Sequence, residues 1–311
     1  MHWSSATYEG TKPPGVRSHT TTRVGSKLFV IGGSASDDSF NNVTVFDADT
    51  FFWYKPEVRG SAEFGPHRAH SATLVQNGCD IFVFGGGDGP NYFDTLFILN
   101  TKTMAWSQPK VTGTGPGPRR AHSATLVGKD LYIFGGGDGR KALNDIFILD
   151  TDLLAWRNCE VKGDVPPPRG YHASCLLDNN KILVYGGSDG QECFSDVAIF
   201  DTVSSTWSKQ KVINPKPRLG HTVSAIGNTV FAFGGHNGTD YVNELDVLSV
   251  RGQEWTSLPH TGTSPQPRGY HTATYYDSRL FVYGGFDNSK CFDEITVLDL
   301  SIYAYFGLGE K

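Results

Sequence analysis

No stretch of this sequence is apolar over the length needed to cross a bilayer, and its opening residues, MHWSSATYEG, lack both the basic head and the apolar middle of a secretory signal. A soluble protein of the cytoplasm, without membrane insertion, is therefore expected. Cysteine is scarce as well. Cys79, Cys159, Cys175, Cys193 and Cys291 are odd in number and contain no CxxC pair, which argues against a disulfide framework and against a zinc knuckle. Free thiols are expected. No run of like charges stands out, and 27 basic residues against 32 acidic ones leave a net charge of −5, so the footprint of a nucleic-acid or acidic-membrane binder is missing. Two glycosylation sequons, at Asn42 and Asn237, are read as chance matches in the absence of a secretory signal.

What the chain has in quantity is glycine, 37 residues, together with 13% aromatics, the mixture of many short strands joined by tight turns. Its six tryptophans, Trp3, Trp53, Trp106, Trp156, Trp207 and Trp255, are spaced 50, 53, 50, 51 and 48 residues apart. A histidine recurs with the same period at His19, His70, His122, His172, His221 and His271, and double glycines follow at 32–33, 85–86, 135–136, 186–187, 234–235 and 284–285. Between each histidine and its glycines lie two strand-like segments, such as HSATLV and LYIFGG. A third strand and a fourth bearing the tryptophan complete a unit of four antiparallel strands, a to d. One such sheet cannot cover both of its faces, so the units are expected to pack face to face around an axis as a six-bladed all-β propeller.

Double glycine, an apolar or aromatic strand and a tryptophan about 20 residues on resemble the kelch repeat. The Pro-Arg-x-x-His-Ser/Thr element resembles kelch proteins of the host-cell-factor, Tea and Rab9-effector type. The resemblance covers nearly the whole chain and implies a six-bladed kelch propeller with a scaffold or adaptor role. It also implies that the loops after the double glycines and those before the arginines share one face and form the partner site.

Trp3 precedes His19 by 16 residues, matching the other Trp-to-His intervals, so the N-terminal strand is expected to close the ring as strand d of the last blade. Tyr305 is the rival for that place. Residues 1–303 are assigned to the propeller and 304–311 to a tail or the stub of a following region.

Each unit has an arginine two or three residues before its histidine: Arg17, Arg68, Arg119, Arg169, Arg218 and Arg268. Two readings of this ring stand, as structural guanidinium groups bonding loop carbonyls or as a ring at one mouth of the channel that captures a peptide carboxylate. The histidines are expected to donate to local backbone, and the tryptophans to wedge between blades. Specificity belongs where the copies differ, in the loops after the glycines, whose tip position carries Ser39, Tyr92, Ala142, Cys193, Tyr241 and Cys291. Tyr92, Arg140, Lys141, His236, Tyr241 and Phe286 are the candidate partner-binding residues. The expected ligand is a protein or peptide, bound by a monomeric propeller.

The alternative is a metal-dependent enzyme similar to galactose oxidase or the plant specifier proteins. That would require unlike ligands converging at a break in the repeat, and His2, His67, His236 and His260 are instead scattered with no acidic cluster beside them. Gly-rich segments such as 113–117 lack a strand-loop-helix context and a P-loop lysine. No cofactor and no catalytic residue is assigned.

Overall fold

Strand b is apolar nearly throughout in every unit, which draws it to a position covered on both faces. The computed structural model describes all residues except 37, 179, 250–252 and 302–311, and sets the units as six antiparallel blades around one axis. Strands a to d run Thr20–Val24, Lys27–Ile31, Val43–Asp47 and Phe52–Tyr54 in blade I, and Ser71–Leu74, Asp80–Phe84, Leu96–Asn100 and Ala105–Ser107 in blade II. Blade III comprises Ser123–Val127, Asp130–Phe134, Ile146–Asp150 and Ala155–Asn158, and blade IV Ala173–Leu177, Lys181–Tyr185, Val197–Asp201 and Thr206–Gln210. Blade V comprises Thr222–Ile226, Thr229–Phe233, Leu245–Ser249 and Glu254–Ser257. Blade VI takes Thr272–Tyr276, Arg279–Tyr283 and Ile295–Asp299 from the end of the chain and His2–Ser5 from its beginning.

Closure by the N-terminal strand is seen in its register, His2 opposite Asp299 and Ser5 opposite Thr296. Trp3 therefore occupies the last d position, buried and 5.1 Å from Phe233. Tyr305 and the segment assigned to a tail lie outside the described residues.

The apolar core is divided into six clusters, each filling the space between two neighbouring blades. Tryptophans are the wedges. Trp53, Trp156, Trp207, Trp255 and Trp3 each meet the aromatic ring that ends strand b of the preceding blade, at 5.1, 5.2, 4.9, 4.6 and 5.1 Å. Strand b of blade I ends in Ile31 instead, and Phe64 supplies the missing ring, stacked 4.3 Å from Trp106. The double glycines allow the blades to approach: a Cβ on Gly186, at φ 64°, would fall 2.3 Å from the Arg218 carbonyl oxygen of the next blade.

Around the axis the residue before each histidine is held in the left-handed region, with φ of 55° at Ser18, 51° at Ala69, 58° at Ala121, 56° at Tyr171, 61° at Gly220 and 59° at Tyr270. In this conformation the amide of each donates to the carbonyl of its counterpart in the preceding blade, at 2.7–2.9 Å, and Ser18 donates to Tyr270 to complete a closed circle of six bonds. A second circle joins the second glycine of each blade to the next, as Gly86 N–H does to the Arg119 carbonyl at 2.8 Å.

The histidines bond between blades rather than to local backbone. Nε2 of His70, His122, His172, His271 and His19 lies 2.8–3.2 Å from the hydroxyl of Thr20, Ser71, Ser123, Thr222 and Thr272, in each case on strand a of the preceding blade or at its edge. At the sixth junction Ala173 has no hydroxyl to offer, and Nε2 of His221 is buried without a partner. Burial pushes the imidazoles down, to about 3 for His19, His122, His172 and His271.

Three outcomes follow from this packing. Trp156→Ala removes a wedge and is expected to lower the unfolding free energy by about 3–5 kcal/mol; an unchanged denaturation midpoint would contradict the packing. Deletion of residues 1–6 exposes an edge of blade VI and should lower the melting temperature, which the closed ring does not permit to stay constant. The unfolded chain takes up protons on these imidazoles below their ordinary value of 6.5, whereas four of the buried rings stay neutral down to about 3. Stability is thus full above that range and falls as the pH drops through it. The urea midpoint should be lower at pH 5 than at pH 7.5, and equal midpoints would refute the buried neutral belt.

Candidate functional site at the mouth of the central channel

The segment before each histidine pairs with the segment after the double glycine of its own blade, through Arg17 and Ser34, Arg68 and Gly87, Arg120 and Gly137, Gly170 and Ser188, Leu219 and His236, and Gly269 and Phe286. Both loop sets therefore lie together on one face. The pairing also aligns the copies residue by residue. Val16, His67, Arg119, Arg169, Arg218 and Arg268 form one column, and Arg17, Arg68, Arg120, Gly170, Leu219 and Gly269 form the next.

The single arginine ring expected from the sequence is thus two columns. In the first, Arg119, Arg169, Arg218 and Arg268 are 2%, 0%, 4% and 0% exposed. Arg119 pairs with Asp145 at 2.6 Å, Arg169 with Asp196 at 2.8 Å, Arg268 with Glu294 at 2.5 Å, and Arg218 with Asp246 at 2.9 Å and with Glu244. Each also donates to the carbonyl of the first glycine of its blade, at 2.8–3.0 Å. These four take the structural reading, since a guanidinium buried and bonded on several sides is out of reach of a surface ligand. Blades I and II replace both members of the pair at once: Val16 and His67 stand where the arginine would be, Asn42 and Thr95 where the acid would be. His67 stacks 4.4 Å from Phe64 and fills the vacated volume with aromatic packing.

The second column turns outward. Arg17, Arg68 and Arg120, from three successive blades, are half-buried and take part in no ion pair among the described residues. Arg17 lies over Phe286 at 4.2 Å and Arg120 over Tyr92 at 4.5 Å, contacts that splay the side chains without neutralising them. All three line a cavity of about 310 Å³. Its remaining wall is Ser18, Ser34, Ala69, Tyr171, Tyr241, Tyr270, Phe286 and Asn288. Tyr171 meets Tyr270 edge-on at 5.2 Å, and Tyr270 lies 6.3 Å from Tyr241. Burial raises the phenols of Tyr241 and Tyr270 above their ordinary value, so both remain neutral and able to donate. The mouth accordingly has a cationic half over blades I–III and an aromatic half over blades IV–VI.

A neighbouring cavity of about 430 Å³ shares Arg120, Tyr171 and Tyr270 with the first and reaches outward over Tyr92, Arg140 and Lys141. Its floor includes Gly136, Gly137 and Gly170. Arg140 and Lys141 are exposed on a turn whose amides both bond Asp138. His236 packs against Tyr241 at 4.9 Å and lines neither cavity. Of the candidates read from sequence, then, Arg17, Arg68, Tyr241 and Phe286 converge on the axial pocket and Tyr92, Arg140 and Lys141 on its neighbour. The sequence pattern marks Arg120 only as the neighbour of Arg119 and passes over Tyr171 and Tyr270. Their signal was present: two adjacent arginines at 119–120, and a tyrosine directly before His172 and His271 where the other copies have Ser, Ala or Gly.

All five cysteines are free, and Cys175 is pushed up to about 12 by burial, which leaves it an inert thiol. Among the described residues no group of three or more His, Cys, Asp or Glu side chains is placed to hold a metal ion, and no helix is long and apolar enough to cross a membrane.

A family model described as the KLHDC2/KLHL20/DRC7 Kelch-repeats domain matches residues 18–235 and, in a second match, 210–305. The chain belongs to this kelch-repeat family. Kelch domain-containing protein 3 of Mus musculus is 27% identical over 269 residues, covering 78% of this chain and 56% of that protein. Rab9 effector protein with kelch motifs of Bos taurus is 29% identical over 224 residues, 70% of this chain and 46% of that protein. Host cell factor of Drosophila melanogaster is 33% identical over 128 residues, 35% of this chain and 8% of its own length. The chain spans about half the length of the first two.

The two columns separate in a stability measurement. Arg169→Ala leaves Asp196 without its partner in a largely buried site and is expected to cost about 3 kcal/mol. Arg68→Ala removes a side chain with no acid to abandon and should stay within about 0.5 kcal/mol of the parent. Equal losses in the two variants would overturn the assignment.

Proposed function

We propose that this kelch propeller is a non-enzymatic adaptor or scaffold of the cytoplasm that holds an anionic segment of a partner protein at the axial pocket. The observation that carries the reading is the convergence of Arg17, Arg68 and Arg120 on one cavity, with no acid paired to any of them among the described residues. Guanidinium groups suit the carboxylate of an acidic side chain or of a chain terminus because two parallel N–H bonds match its two oxygens. The ligand's flanking residues run into the neighbouring cavity, between Tyr92, Arg140 and Lys141. Kinship with proteins named for kelch domains and for an effector role supports an interaction module over the metal-dependent enzyme.

The test is binding of randomised peptide pools, rich in Asp and Glu or ending in a free carboxylate, to the full chain and to a variant combining Arg17→Ala, Arg68→Ala and Arg120→Ala. Anionic pools should bind the parent, more weakly as salt rises. In the variant, with its fold checked by circular dichroism, binding should drop by about tenfold or more. Equal retention by both proteins would show that the site lies elsewhere.

A further inference from the structure

The axial pocket carries more positive charge than one carboxylate balances. Three guanidinium groups border it, and the other polar groups in its wall, on Ser18, Ser34, Asn288 and the tyrosines, are all able to donate. Among the described residues the wall contains no carboxylate. Three acids on the surrounding loops are occupied with their own turns: Asp138, Asp189 and Asp287 each accept two amides of the residues that follow, at 2.8–2.9 Å. An independent observation lies in the same wall. Ser34 is 1% exposed, and its hydroxyl is buried with no hydrogen-bond partner. A buried hydroxyl left unpaired carries a desolvation cost that a strong acceptor in the pocket would relieve.

A carboxylate offers one charge and two oxygens. A phosphomonoester offers about 1.5–2 negative charges at neutral pH and three acceptor oxygens, a closer match to three guanidinium groups. Its carrying side chain would lie against the aromatic half formed by Tyr171, Tyr241 and Tyr270. Resting on the reading of this pocket as the partner site, we propose that its ligand is a phosphorylated side chain of a partner protein. The phosphoryl group is held by Arg17, Arg68 and Arg120.

The test uses the full chain and peptide pools with randomised flanks and one fixed central residue, namely phosphoserine, phosphotyrosine, glutamate or serine. A fifth pool ends in a free carboxylate. At least one phosphorylated pool should bind about tenfold or more tightly than the glutamate and carboxylate pools, should be displaced by inorganic phosphate, and should lose that advantage in the Arg68→Ala variant. The two phosphorylated pools together tell which side chain carries the group. Glutamate or free-carboxylate pools binding as tightly as the phosphorylated ones would overturn the phosphate assignment and leave the anionic-segment reading standing. No binding by any anionic pool would overturn both. A phosphorylated pool held by the Arg68→Ala and triple alanine variants as tightly as by the parent would place the phosphate elsewhere. Tighter binding to vesicles containing phosphoinositide than to either phosphorylated pool would assign the pocket to a lipid headgroup instead.

Discussion

Six amides and six carbonyls, at Ser18, Ala69, Ala121, Tyr171, Gly220 and Tyr270, bond to one another around the axis, and the placement of nearly every other group at the mouth follows from that circle. To enter it, each residue must adopt a left-handed backbone, which costs a non-glycine residue about 1–2 kcal/mol. Only Gly220 is spared that strain. The reversal of the chain there separates the residue on one side, at the mouth, from the histidine on the other, inside the channel. Beside the circle the six histidines line a cavity of about 130 Å³, and all but His221 meet a hydroxyl of the neighbouring blade. Above it the preceding residue is free to vary, because its backbone already has a partner in the loop of its own blade.

Architecture and chemistry are thereby assigned to adjacent positions of one short segment. At the first, a buried arginine and its acid tie the loop to strand c, and where the arginine is lost the acid is lost with it. At the second no partner is required, and the copies diverge into Arg17, Arg68 and Arg120 on one side and Gly170, Leu219 and Gly269 on the other. Breaking the sixfold pattern at this level produces an asymmetric mouth on a base of nearly repeated backbone bonds. Rigidity beneath and variation above is the arrangement a recognition site needs, since side chains held on fixed backbone lose less freedom when a ligand binds.

Much of this was legible in the residues. The tryptophan period, the apolar b strands and the interval from Trp3 to His19 lead directly to six blades closed by the first strand, because each is a local pattern repeated at a fixed offset. The two arginine columns were within reach too: Arg17 and Arg68 stand two residues before their histidines, whereas Arg119, Arg169, Arg218 and Arg268 stand three before theirs. Merging those offsets made one ring of what are two environments, and the matching exchange of acids for Asn42 and Thr95 carried the same message. The histidine belt was hidden for a different reason. A Ser or Thr after nearly every histidine is visible in the sequence, but its partner is the histidine of another blade, about 50 residues away, and only the packing of blade on blade brings them together. Phe64 beside Trp106 is of the same kind, a substitution in one blade answering the loss of a ring in its neighbour.

The most direct test of the closed circle is native-state hydrogen exchange at the six amides of Ser18, Ala69, Ala121, Tyr171, Gly220 and Tyr270. If the circle holds the blades together as one cooperative unit, all six exchange only through global unfolding and report a single free energy, equal to that of denaturation. Fast exchange at one or more of them, with a lower opening energy than the b strands show, would mean that the circle opens locally and that the mouth is not the rigid platform described.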